Sequence, residues 1–183
     1  AVKQSDEEFE EYVVPMFDAD WEKRREGDEF APSLGKVPIL WDGDCVVWDS
    51  LAIIDFLADR VGRDRYWPEE ESARGMARSM AAEMHSGFAN LRRELPMNVR
   101  KSFAPRELSD GVKEEIDRIM QLWAQARARF GGTGDFLFGE WCAADTMYAP
   151  VVTRFITYAV PVPNFAAVYM KAVLSHPHVA EWI

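Results

Sequence analysis

The sequence predicts two parts: a small α/β unit, then an all-helical domain. Two observations carry this. Around residue 40, two runs rich in β-branched and aromatic residues, Val37–Trp41 and Cys45–Trp48, flank Asp42-Gly43-Asp44. Glycine accepts the positive φ of a tight turn, so this pattern reads as a hairpin. Beyond Pro68 the apolar residues recur at three- and four-residue spacing, the period of helices that bury one face. At 183 residues and 48% hydrophobic content, the chain can bury a substantial core as one domain or two small ones.

Taken in order, Tyr12-Val13-Val14 ahead of Pro15 suits a short strand stopped by proline. From Asp18 to Ser33 the chain is polar, a loop with a helical turn near Trp21–Arg25. After the hairpin a helix begins at Ser50. Leu51, Ile54, Leu57, Ala58 and Val61 form its buried stripe, and Gly62 closes it as a left-handed cap. Residues 63–68 lack periodicity and read as a linker whose Pro68 suits the first turn of the next helix. The expected division is therefore 1–62, a linker at 63–68, and a helical domain at 69–183.

In that domain Glu69–Arg92 reads as a long helix, bent or broken near Gly87 and ended near Pro96. Ser109–Phe130 sets Val112, Ile116, Ile119, Trp123, Ala126 and Phe130 on one face and stops at Gly131-Gly132. Cys142–Ala159 is another apolar helix, ended by Pro161-Val162-Pro163, and Phe165–Leu174 and Val179–Ile183 finish the chain.

Charge narrows the function. A formal net charge of −10 repels a phosphate backbone and an anionic membrane surface, so neither nucleic acid nor membrane is an expected partner. No apolar run reaches the roughly 18 residues needed to span a bilayer. Residues 1–8 carry no apolar signal-peptide core and resemble the tail of a helix. Two cysteines allow at most one bridge, which points to a reduced, cytoplasmic setting. Cys45, beside Val46 and Val47 on a strand, reads as a buried structural thiol. His176-Pro177-His178 has no third ligand cluster, so a solvated loop is expected there and no metal.

The informative stretch runs from Leu34 to Ser50. Pro38 opening a strand cannot donate to the ladder, so it reads as an edge or first-residue position, or as a cis bond that turns the Val37 backbone outward to pair with an extended peptide. The start of the following helix, at Asp49-Ser50, offers free N–H groups and a positive dipole end to an anion. Gly35-Lys36-Val37-Pro38 and Asp49-Ser50 together resemble the glutathione-binding half of a glutathione S-transferase, of the bacterial, cytosolic type. Phe136–Asp145, Glu83–Phe88 and Leu95–Asn98 are similar to segments of that family's helical domain.

The resemblance implies a thioredoxin-like amino-terminal domain followed by a helical bundle. It implies a cis peptide bond before Pro38, with Val37 pairing with the tripeptide backbone. Ser50 would take the γ-glutamyl carboxylate and Asp49 the ammonium. Asp49 is one methylene shorter than the glutamate many members carry. Lys36 would face the glycine carboxylate. The resemblance also implies an electrophile pocket around Met84, His85, Phe88 and Met97, although the stripe Met80, Met84, Phe88, Leu91 and Leu95 by itself reads as core rather than site. Cys142 stands where the family has a Ser or Thr cap paired with Asp145, and a thiol is a weak acceptor, so Asp145 would carry that box.

The expected function is conjugation of the glutathione thiolate to a small hydrophobic electrophile by a homodimer, with glutathione as co-substrate. The alternatives are a glutathione-dependent isomerase or reductase and a non-catalytic scaffold. In the family the catalytic hydroxyl or thiol follows the first strand, so it is expected before Ala1. Ser5 falls at the wrong end of the first helix to replace it. The carboxyl end after Ile183 is expected to be clipped as well.

Overall fold

The computed structural model describes residues 1–16 and 18–183, which form two compact units, 1–65 and 66–183. In the first, strand β1 (Ile39–Asp42) pairs antiparallel with β2 (Cys45–Trp48), Ile39 opposite Trp48 and Asp42 opposite Cys45. Gly43 turns the hairpin at φ 59°. A single helical turn, α1 (Trp21–Arg24), precedes it, and Trp21 packs edge-on against Phe30 with ring centres 5.6 Å apart. Helix α2 (Ser50–Val61) buries Ile53, Ile54, Leu57 and Ala58. Ile53 thus joins the expected stripe, while Leu51 and Val61 are only half-buried. Arg60 ties α2 to Asp42 and to Glu7, and Arg65 grips Asp6 at 2.6 Å.

Three sequence expectations are corrected in this unit. Tyr12-Val13-Val14 is not a strand: Tyr12 and Val13 are 78% and 83% exposed. β propensity is realised only beside a ladder partner, and among the described residues β1 and β2 pair only with each other. Cys45 is exposed, because it stands opposite Asp42 at the turn end of the hairpin, where both residues meet solvent. Gly62 ends α2 with φ 118° and ψ 128°, a positive-φ conformation outside the left-handed helical well.

The second unit opens with Tyr66 and Trp67, both buried, so the aromatic half of the 63–68 segment belongs to a core. Helix α3 (Glu71–Ser86) is capped by Glu70, whose carboxylate accepts from the Ser72 and Ala73 N–H groups at 2.9 and 2.7 Å. That cap leaves Pro68 ahead of the helix, not in its first turn. The expected break falls at Gly87-Phe88, where Phe88 takes φ 57°, and α4 (Ala89–Glu94) follows. Next come α5 (Asp110–Phe130), α6 (Ala143–Thr157), α7 (Asn164–Ser175) and α8 (Pro177–Trp182). Helix α6 is buried on nearly every side. Trp123 of α5 lies among Tyr148, Phe155 and Tyr169, with ring centres 4.7 to 5.9 Å away.

The break is held from outside its own sequence. Glu115 of α5 accepts from the Asn90 and Leu91 N–H groups at 3.1 and 2.7 Å, capping α4 from a neighbouring helix. Arg92 donates to the Met84 and Gly87 carbonyls at 2.6 and 3.2 Å, closing the end of α3. Glu115→Ala would leave two helix-start donors unpaired, costing about 1–3 kcal/mol. The expected result is a lower melting temperature with the far-ultraviolet spectrum retained at 20 °C (about that temperature, well below the transition). An unchanged melting curve would show that the cap contributes nothing.

Candidate glutathione site

The site begins at Ser33, the end of a 3-10 turn spanning Ala31–Ser33. Its buried hydroxyl accepts from the Lys36 N–H at 3.0 Å and lies 2.5 Å from the Lys36 carbonyl and 3.1 Å from that of Phe30. One hydroxyl thus clamps both ends of the loop 33–36. Between them Leu34 and Gly35 take φ 54° and 76°. A Cβ at position 35 would stand 3.2 Å from the Arg25 carbonyl oxygen, in a backbone conformation that already disfavours side chains. The sequence reading missed Ser33. Its signal, a serine three residues before Lys36 in a turn, is short and common.

The Val37–Pro38 peptide bond is cis, as the resemblance implied. Among the described residues, the Val37 backbone pairs with no other group. Because Ile39 pairs with Trp48, Pro38 and Asp49 are the next residues outward at one end of the hairpin. The register therefore brings Lys36-Val37-Pro38 and Asp49-Ser50 to the same edge of the unit.

Asp49 caps α2, its Oδ1 accepting from the Leu51 N–H at 2.9 Å. It sits at φ 75° and ψ 135°, a region costly to any residue with a Cβ, by about 1–3 kcal/mol. The cap of α2 is thus Asp49 and not Ser50. Ser50 is the first helical residue, half-buried, at the positive end of a 12-residue helix.

The four residues expected around an electrophile pocket are not gathered in this way. Met84 and Phe88 are buried in the helical unit, where hydrophobic packing holds them. Met84 also offers its sulfur to Arg92 at 3.6 Å. His85 is half-buried. Met97 is exposed, its sulfur accepting from Thr153 Oγ1 at 3.4 Å. Among the described residues no group of three His, Cys, Asp or Glu side chains is placed to hold a metal. No helix there is long and apolar enough to cross a membrane.

The Cys142–Asp145 box is structural. Asp145 Oδ2 accepts from the Cys142 N–H at 3.0 Å, and Oδ1 accepts from the Leu137 N–H at 3.1 Å and the Tyr169 hydroxyl at 3.0 Å. Burial pushes the Asp145 carboxyl up to about 6 despite these donors, and it pushes the Cys142 thiol up as well.

Comparison with known proteins fits this geometry. Residues 2–60, which contain the clamped loop, the cis bond and the capped helix, match the family model of the glutathione S-transferase amino-terminal domain. Over residues 2–60 the chain is similar to the glutathione S-transferase family. A class-mu 26 kDa glutathione S-transferase isozyme of Fasciola hepatica is 24% identical over 136 residues, covering 73% of this chain. The chain spans about half, 54%, of the length of that relative.

A Burkholderia (BGR1) glutathione transferase homolog, solved with bound glutathione, is 21% identical with a TM-score of 0.60. The match covers 81% of this chain and 71% of that one. A maleylacetoacetate isomerase from Methylobacterium extorquens AM1, solved with malonate and glutathione, is 22% identical with a TM-score of 0.61, over 91% and 82% of the two chains. The shared architecture is the one the sequence predicted: a thioredoxin-like amino-terminal domain with a small sheet, and a helical remainder.

Proposed function

We propose that this protein is a glutathione S-transferase family member and grips glutathione along the edge formed by Lys36, Val37, Pro38, Asp49 and Ser50. The protein then directs the glutathione thiolate at a small electrophile. The observation that carries the reading is Asp49. A non-glycine residue held at φ 75° at the head of α2 is a costly conformation, and ligand binding is a physical reason for keeping it. The Val37 backbone, unpaired among the described residues, matches an extended tripeptide. The Ser50 hydroxyl and the helix start match a carboxylate, and the Asp49 carboxylate matches an ammonium. Exposed Lys36 supplies a cation for the second carboxylate.

A free thiol near pKa 8.5 is a few per cent ionised at neutral pH, and lowering it by two units takes about 2.7 kcal/mol. A hydrogen bond to the sulfur plus a helix dipole is of that size. No residue of this chain is assigned that role; Ser5 is occupied with the Val2 carbonyl at 2.7 Å and the Glu7 N–H at 3.2 Å. A second reading, glutathione-dependent isomerisation, draws on the isomerase that shares the fold. Activation of the thiol would be common to both reactions. A homodimer in the cytoplasm completes the proposal. It is supported by the large apolar residues the first unit exposes, Leu34, Trp41 and Trp48 among them. Sedimentation at micromolar concentration tests the dimer.

Calorimetry tests the grip. Glutathione should bind in the micromolar-to-millimolar range, with Ser50→Ala and Asp49→Ala weakening it at least tenfold, about 1.4 kcal/mol. Asp49→Gly separates binding from folding. Glycine relieves the backbone and loses only a few tenths of a kcal/mol as a cap, so stability should hold or rise while affinity falls. Binding unaffected by all three variants would overturn the assignment.

A further inference from the structure

The helical unit carries a second feature, separate from the glutathione edge, whose chemistry is cationic and aromatic. Between residues 92 and 106 the sequence places Arg92, Arg93, Arg100, Lys101 and Arg106 against one acid, Glu94, in a chain whose net charge is −10. After α4 this segment crosses the unit without regular secondary structure, held by the Phe103 N–H donating to the Thr157 carbonyl at 2.8 Å.

A cavity of about 480 Å³ opens there, lined by Arg93, Glu94, Pro96, Phe103, Arg106 and Tyr158. Its floor is a stacked pair: the Phe103 and Tyr158 rings lie 5.0 Å apart and 9° from parallel. Tyr158 is buried and fixed by donating to the Pro96 carbonyl at 3.0 Å, whereas Phe103 is 40% exposed.

The cavity holds two guanidinium groups, Arg93 and Arg106, against one carboxylate, Glu94, whose charged form both arginines favour. Arg106 stands over the Tyr158 ring at 5.5 Å and donates to the Glu94 backbone carbonyl. Arg93 donates to Asn90 Oδ1 at 2.6 Å, a neutral acceptor. The Glu94 carboxylate accepts from the Ser109 N–H at 3.2 Å, at the start of α5. Among the described residues neither Arg93 nor Arg106 forms an ion pair with a carboxylate. Two guanidinium groups against one carboxylate leave the cavity net cationic, and beside the half-exposed Phe103 ring they select for a ligand that brings both an anion and a ring. A guanidinium pairs with a carboxylate in bidentate fashion, and rings stack in offset fashion. The volume falls within the range of small-molecule pockets, about 300–1,000 Å³.

We infer that this cavity binds a planar aromatic carboxylate, its ring stacked on Phe103 and its carboxylate held by Arg93 and Arg106. The site lies wholly in the helical unit and does not depend on the glutathione reading.

The test uses the full chain and 2-naphthoate as probe, with fluorescence or calorimetry as readout. Three results are expected. Arg106→Ala and Arg93→Gln each weaken binding about tenfold, while Arg106→Lys weakens it less. Phe103→Ala weakens it without changing its salt dependence. The neutral 2-naphthamide binds at least tenfold more weakly than the acid. Melting curves of the variants establish that each is folded, and all three substituted side chains are exposed, so folding is expected to persist. Affinity unchanged in both arginine variants, or equal for acid and amide, would overturn the inference. So would displacement of the probe by saturating glutathione, which would move it to the other site.

Discussion

Asp145→Ala is expected to abolish cooperative folding of the helical unit. The carboxylate is fully buried and is the acceptor for three donors from three places: the Leu137 N–H, the Cys142 N–H and the Tyr169 hydroxyl. Each buried donor left unpaired costs about 1–3 kcal/mol. Three of them approach or exceed the total stability of an ordinary domain, about 5–15 kcal/mol. Asp145→Asn is expected to be milder. Its one oxygen can still serve Leu137 and Tyr169, and only the Cys142 N–H meets an amide NH₂. Thermal melts by circular dichroism read both, and an alanine variant melting within a few degrees of the parent would show that the network is dispensable.

The same carboxyl gives the effect a pH signature. In the fold it titrates at about 6, raised by burial from 3.8. Below about pH 4 the group is protonated in both states and its contribution to stability is fully present. As pH rises, the unfolded chain releases its proton first. Stability is therefore lost progressively up to about pH 6, by about 3 kcal/mol at 1.36 kcal/mol per unit. Asp145→Asn cannot titrate, so its deficit relative to the parent should be largest near pH 4 and smaller near pH 7. A deficit that does not depend on pH would mean the carboxyl keeps its ordinary acidity in the fold.

The second large effect is at Trp123, where size and polarity can be separated. The indole is fully buried against Tyr148, Phe155 and Tyr169. Trp123→Ala should cost about 3–5 kcal/mol, from lost transfer energy and the cavity left behind. The indole Nε1 and the Tyr148 hydroxyl are buried without a hydrogen-bond partner among the described residues. Trp123→Phe therefore removes an unpaired donor along with part of the ring, and Tyr148→Phe removes an unpaired hydroxyl at almost constant volume. Trp123→Phe should cost far less than the alanine change, and Tyr148→Phe should be neutral or stabilising. Chemical denaturation midpoints read all three. A Tyr148→Phe variant destabilised by more than about 1 kcal/mol would show that the hydroxyl is hydrogen-bonded after all, through an internal water.

What was legible in the sequence follows from the range of the forces involved. The hairpin at Asp42-Gly43-Asp44 and the helix starting at Ser50 are set by interactions within a few residues. That Gly35–Pro38 and Asp49-Ser50 share one edge was legible for the same reason: they are short motifs whose spacing is fixed by one hairpin. The mistakes lie where a distant partner decides. Tyr12-Val13-Val14 has strand propensity but no strand beside it. Cys45 has strand neighbours, yet it sits at the solvent end of the pair.

The pocket around Met84, His85, Phe88 and Met97 was an expectation from the family resemblance, whereas the spacing of Met80, Met84, Phe88, Leu91 and Leu95 reads as a core face. In the structure core packing covers Met84 and Phe88. By itself the sequence determined the order and type of nearly every element. Only the tertiary structure decided that Glu115 caps a helix 24 residues upstream, that Tyr169 completes the shell of Asp145, and that Arg93 and Arg106 stand beside an aromatic floor. Those pairings join segments far apart in the chain. No local pattern encodes them, because side chains meet across helices only once the core has set the distance between them.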